Sequence, residues 1–228
     1  MKKLNIFAAW VFLLALVTGC GSSSEEETAI VDVSENGATS VIQTELESQL
    51  SVIPLGELSQ QESDGLVYMR EEEKLAHDVY TLLFDRWQLN VFTNIANSES
   101  THTDAILTLL NNYGLDDPAE GNAVGVFTNP VLQSLSDMLV ANGAVSLIDA
   151  LMVGAAIEEI DMIDIQHYID QVEGNEDIIL VYENLLKGSR NHLRSFVSTL
   201  ESQGVVYVPQ YMDQADYDSI INSPIERG

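Results

Sequence analysis

The sequence predicts an all-α protein built around a four-helix bundle, and three observations predict it. From Asp64 onward, apolar residues recur at the three- and four-residue spacing of helices almost throughout. No stretch of strand alternation and no internal repeat interrupts that pattern. The breaks carry helix start and stop residues, spaced to leave four long segments and two short ones.

The first residues stand apart from the fold. Met1-Lys2-Lys3 is a short basic start, and the apolar run Ile6 to Val17 has the length of a signal-peptide core, too short and wrongly flanked for a membrane span. The run ends in Val17-Thr18-Gly19-Cys20, which resembles the bacterial lipobox, in which the cysteine is lipid-modified and becomes the N-terminus. Residues 1–19 are thus expected to be a lipoprotein signal peptide and Cys20 a lipidation site. The expected location is the cell envelope, periplasmic or outer face, with the protein anchored to the membrane rather than spanning it. Cys20 is the only cysteine, so no intramolecular disulfide can form. Residues 20–61, acidic and Ser-rich with little helical periodicity, read as a flexible tether. Residues 62–228 have single-domain length and enough Leu, Ile and Val for one core.

The formal charge is −27, and −29 once Lys2 and Lys3 leave with the leader. That charge excludes nucleic acid and anionic headgroups as natural partners and attracts metal cations and basic partners. Solubility in an exposed compartment accounts for most of it.

Within the domain, helices are expected at about 63–86, 90–113, 130–142, 146–171, 175–203 and 213–222. Gly114 stops the second of these. Asp117-Pro118, Gly121 and Gly125 make the following stretch irregular. Asn142-Gly143 closes the short helix, Ser146 can cap the next, and Gly174 divides the last long pair. Two hairpins joined by a long second-to-third crossover that carries a short helix is one of the known bundle arrangements.

The inward stripes of the four long helices are where chemistry enters. The second reads Phe92, Ile95, Glu99, His102, Ile106, Leu109, Tyr113, an apolar face broken by Glu-x-x-His. Residues three apart lie about one turn apart on a helix, so both side chains can reach one ion. The first reads Leu66, Met69, Glu73, Ala76, Tyr80, Leu83. Glu72 would face inward on a slightly rotated helix, and His77 is either a further ligand or a flank residue paired with Glu73. The third gives Leu147, Leu151, Gly154, Glu158, Asp161, Ile165, and the fourth Ile178, Tyr182, Leu185, Ser189, His192, Phe196. A lone buried carboxylate is costly enough that it must be paired or bound to metal. Depth is consistent: Glu73 and Glu99 have their midpoint at 86, beside Arg86-Trp87-Gln88, and Glu158 and Ser189 have theirs beside Gly174. The expected metal residues are therefore Glu73, Glu99, His102, Glu158, Asp161 and His192.

Glu73-Lys-Leu-Ala76-His-Asp-Val-Tyr80 followed by Glu99-Ser-Thr-His102 resembles the first two helices of rubrerythrin- and ferritin-type proteins. Tyr68-Met-Arg-Glu-Glu-Glu-Lys-Leu-Ala, Gly154-Ala-Ala-Ile-Glu158-Glu-Ile-Asp161 and Gly188-Ser-Arg-Asn-His192 are similar to an uncharacterised ferritin-like family, domain of unknown function 2202. The resemblance spans roughly Leu66 to Ile221 and implies a ferritin-like bundle with a two-metal site. Ferritin-like di-iron proteins commonly repeat Glu-x-x-His on the fourth helix, where this chain has Ser189-x-x-His192. Asp161 either replaces the missing carboxylate or orients a ligand imidazole.

Carboxylate and imidazole donors without thiolate suit two ions of iron, with manganese or zinc as alternatives. Three functions fit: a di-iron oxidoreductase that oxidises ferrous iron or reduces peroxide or oxygen, a non-enzymatic cation-binding lipoprotein, and a partner-binding lipoprotein whose carboxylates are neutralised by histidine. The chain has no Cys-x-x-Cys pair for rubrerythrin's internal electron path, no phosphate loop and no nucleophile elbow.

Overall fold

The computed structural model describes residues 29–227, which form seven helices and one two-stranded sheet. The expected signal peptide and Cys20 lie outside the described residues. Among the described residues no helix is long and apolar enough to cross a membrane.

The chain enters through β1 (Val31–Val33) and β2 (Thr39–Val41), an antiparallel hairpin in which Val31 faces Val41, followed by α1 (Gln43–Leu50). This corrects two expectations: the tether carries folded structure, and a short strand pair exists. Ile30, Val31, Val41, Leu46 and Leu50 are buried in the common core, and their apolar area offsets the entropy of ordering so polar a stretch. Hydrogen bonds seat the hairpin on the bundle, from Val41 N–H to Thr101 Oγ1 (2.8 Å) and from Ser195 Oγ to Asn36 C=O (2.6 Å).

The four long helices are α2 (Gln60–Trp87), α3 (Asn90–Tyr113), α5 (Leu147–Ile169) and α6 (Glu176–Ser202), with α4 (Pro130–Gly143) in the crossover and α7 (Gln214–Ile221) at the end. These bounds fall within three residues of those expected. The local causes are explicit. Ser59 and Glu62 form a reciprocal capping box at the start of α2, and Gln88, at φ 54°, closes that helix in the left-handed region. Gly114 ends α3 at φ 67°, Asn129 and Pro130 open α4, and Ser146 caps α5.

α2 packs on α3 and α5, and α6 packs on α5 and α3. Tyr68 meets Asp164 and Tyr80 meets Gly154, so α2 and α5 are antiparallel. Tyr113 meets Asp177 and Phe92 meets Phe196, so α3 and α6 are antiparallel as well. It follows that α3 and α5 run the same way, and their connection must climb the bundle. At 1.5 Å per residue that is roughly 36 Å for the 24 residues of α3. The climb is latched to α2 by a fork of Arg70 on Asp117 (both contacts 3.0 Å), by Glu71 accepting from Thr128 N–H and Asn129 N–H, and by Asp78 accepting from Gly125 N–H (2.8 Å).

Leu66, Met69, Leu83, Ile106, Leu185 and Phe196 fill the bundle interior, each fully buried and contributing about 1.5–3 kcal/mol of transfer free energy. A polar layer interrupts them at mid-height.

Candidate metal centre

The structure brings all six predicted residues into that layer, each at most 3 % exposed. Glu99 is central. Its Oε2 lies 2.8 Å from His102 Nδ1, and its Oε1 lies 2.8 Å from His192 Nδ1. Glu73 Oε2 approaches His102 Nδ1 at 3.3 Å, and Glu158 Oε2 approaches His192 Nδ1 at 3.5 Å. The two imidazoles are nearly parallel, with centroids 5.4 Å apart. Two triads result, Glu73–Glu99–His102 and Glu99–Glu158–His192, and within each the donor atoms all lie within 4.8 Å of one another. Buried Glu and His clusters that can hold a metal ion are thus present.

Despite these short approaches, neither Nδ1 makes an aligned hydrogen bond among the described residues. Both oxygens of Glu73 also lack one. The donors converge on one another at mid-height of the bundle.

Neighbouring elements hold the set in place. Tyr80 on α2 donates to Glu158 Oε1 (2.5 Å) and to Gly154 C=O (3.1 Å), which fixes the carboxylate across the α2–α5 interface. Thr39 N–H of the hairpin lies 3.3 Å from His192 Nε2, so the added N-terminal element backs one imidazole directly. Gly188 makes room for the other: a Cβ there would lie 2.6 Å from His102 Cε1.

Asp161, one turn past Glu158 on α5, takes its closest acidic neighbours from α2. Ser189 donates to its Oδ2, and it groups with Glu72 and Glu73 in a third triad. Glu72 is the carboxylate that the choice of Glu73 passed over, and the structure buries both. His77 is not in the layer. It is one-third exposed and pairs with Asp78 Oδ1 at 2.9 Å rather than with Glu73. Tyr113 bonds Asp177, and the buried Tyr182 hydroxyl has no hydrogen-bond partner among the described residues. Glu159, absent from the sequence reading, is fully buried and accepts from the Tyr207 hydroxyl and from the N–H groups of Gln210, Tyr211 and Met212. It pins the C-terminal segment to α5.

The electrostatics follow from five carboxylates and two imidazoles sharing one dry layer. Burial pushes Glu158 up to about 7, against the pull of His192. Burial and then Asp161 hold Glu72 and Glu73 well above the usual carboxylate range. Burial would raise Glu99 too, but His192 and His102 outweigh it and hold Glu99 well below that range. Burial opposes charge on His192, yet Glu99 and Glu158 raise it to about 9. The layer stores protons where a cation would remove them.

A helical bundle with a buried carboxylate–histidine centre is the class that fold and site define. The family model described as an uncharacterised protein domain, DUF2202, matches residues 62–224, and the chain belongs to that family. It is 49 % identical over 179 residues to the uncharacterised protein MJ0754 of Methanocaldococcus jannaschii, covering 78 % of this chain and 96 % of that one. The crystal structure of hypothetical protein MJ0754 is similar at a TM-score of 0.74 and 48 % identity, over 76 % of this chain and 99 % of that chain. The hairpin and α1 precede the residues that the family model matches.

Proposed function

We propose that the chain is an envelope-anchored, ferritin-like protein that holds two metal ions, iron first, and works as a ferrous-iron oxidase or a peroxide- or oxygen-reducing enzyme. The observation that carries this reading is the pair of triads sharing Glu99, whose imidazole Nδ1 atoms converge with carboxylate oxygens and make no aligned hydrogen bond among the described residues. The donor chemistry fits, since nitrogen and oxygen without thiolate suits iron, manganese or zinc. Glu73, Glu99 and His102 would hold one ion, Glu99, Glu158 and His192 the other, and Glu99 would bridge them. Bound iron would supply the electrons for reducing oxygen or peroxide. The protein's own contribution is to position the donors on four rigid helices, to fix Glu158 through Tyr80, and to keep bulk water out. Anchoring rests on the lipobox-like Val17-Thr18-Gly19-Cys20, and the charge of −27 favours cation capture.

A second reading, a metal-free network in which histidine neutralises glutamate, draws on the 2.8 Å contacts of Glu99. Elemental analysis and an optical spectrum of the desalted full-length chain in detergent separate the two, run beside a Glu99→Ala/His192→Ala variant. About two tightly held irons per chain, lost in the variant and oxidised by peroxide, is the expected result. A chain that stays metal-free after anaerobic loading with iron, manganese and zinc would refute the metal reading. Two irons held without redox turnover would leave a cation-binding lipoprotein.

A further inference from the structure

Glu72, Glu73 and Asp161 each offer an oxygen within 4.8 Å of the others, and none of the three side chains is more than 3 % exposed. Glu72 Oε2, Asp161 Oδ1 and both oxygens of Glu73 have no hydrogen-bond partner among the described residues. A satisfied acidic cluster would be unremarked structure. Here Glu72 and Asp161 face each other as two acceptors, and Glu73 Oε2 lies 3.3 Å from His102 Nδ1. No N–H or O–H is aligned on the four oxygens among the described residues, and each orphaned acceptor costs about 1–3 kcal/mol unless something fills it.

The departure at position 189 acquires a reason. Ser189 bonds one oxygen of Asp161 and the Leu185 C=O (2.9 Å), which ties Asp161 down and leaves its Oδ1 turned to Glu72. The donor set also differs from the two histidine triads, because it is all oxygen. Such a set takes hard divalent cations such as manganese(II) or ferrous iron, and holds them less tightly than a site containing imidazole.

Asp164, one helical turn past Asp161, is half-buried, and the Tyr68 hydroxyl donates to its Oδ2 at 3.0 Å. Tyr68 and Tyr168 pack as tilted rings with centroids 5.7 Å apart and line, with the exposed Asp64, a surface pocket of about 470 Å³. The negative charge of Asp164 acts on Glu72, and those of Asp164 and Asp64 both act on Tyr168.

We propose that Glu72, Asp161 and Glu73 form a third cation position, an all-oxygen station through which a divalent cation passes on its way to the two histidine triads. It shares Glu73 with the first triad, so it rests on the two-metal reading for its purpose, although not for its geometry.

The test is a manganese(II) titration of the full-length chain in detergent, followed by calorimetry and by the electron paramagnetic resonance of free manganese. Wild type should bind three ions per chain, one of them weakly. Glu72→Gln, which keeps the side-chain volume, should lose the weak ion alone, keep the two tight ones, and fill them at least about tenfold more slowly. Glu72→Asp should restore the weak ion at lower affinity. Anomalous diffraction from manganese-soaked crystals should place that ion against Glu72. Equal stoichiometry and loading rate in wild type and Glu72→Gln would overturn the station. Failure of the two-metal reading shows separately, as tight binding that Glu99→Gln leaves unchanged.

Discussion

Replacing Glu99 by Gln tests the centre at its pivot. The substitution preserves volume, removes the charge, and replaces one of the two oxygens that lie 2.8 Å from the imidazoles by an NH2 group. Stripping one partner from a buried charge pair costs about 3–5 kcal/mol, because the remaining group is left uncompensated. For a chain of this size, 1 kcal/mol moves Tm by roughly 2–4 °C, so the metal-free variant should melt about 6–20 °C below wild type. The effect on binding is more discriminating. Glu99 belongs to both histidine triads, whereas Glu158 belongs to one. Glu99→Gln should therefore abolish both tight ions and Glu158→Gln only one. Melts in chelator at pH 7 and metal analysis after desalting give both numbers. Glu99→Gln that lost a single ion would show that the carboxylate serves one position, and a variant that kept both would refute the bridging role.

Gly188→Ala forces its new Cβ to within 2.6 Å of His102 Cε1, so the ring must shift. Zinc titration should show the His102 position weakened by about 10–100-fold with the His192 position spared. Glu159→Gln weakens the acceptor that holds Tyr207 and three backbone N–H groups, and should cost about 2–4 kcal/mol. Hydrogen exchange should rise at residues 207–212 first, and unchanged exchange there would show that the latch lies elsewhere. The pH dependence of the metal-free chain has a definite sign. Glu158 near 7 and His192 near 9 both bind protons more tightly folded than unfolded. Their stability is complete below their unfolded values of about 4.5 and 6.5, and is lost as pH rises through the folded ones. Chelated protein should lose stability from about pH 5 to 9, and urea melts that are flat or rising across that window would contradict the buried-proton picture.

The helices and the six centre residues were legible because burial on a four-helix bundle imposes a period, and Glu99, His102 and His192 break it visibly. The hairpin was not. Its strands have three residues each, too few to show alternation, and they sit in a stretch dominated by Ser and Glu. Thr39 N–H on His192 is a backbone contact across 153 residues, and side-chain patterns carry no signal for it. Glu72 was ranked behind Glu73 for a different reason. A single inward stripe assumes one buried face, whereas α2 is covered by α3, by α5 and by the crossover with α4, so Glu71, Glu72 and Glu73 are all buried.

That acidic run separates structural carboxylates from functional ones. Successive helical residues point about 100° apart, so three in a row span about 200° around α2. Glu71 faces the crossover and is satisfied by two backbone N–H groups. Glu72 and Glu73 face α5 and α3 and retain three oxygens without a partner. The same contrast recurs on α5, where Glu159 is fully satisfied by the C-terminal segment, while Glu158 depends on Tyr80 and an imidazole. Adjacent glutamates of equal burial thus differ in what completes them. Backbone donors complete Glu71 and Glu159, whose loss should be read in stability alone. For Glu72, Glu73 and Glu158 full ionisation waits on a cation, and their loss should be read first in binding.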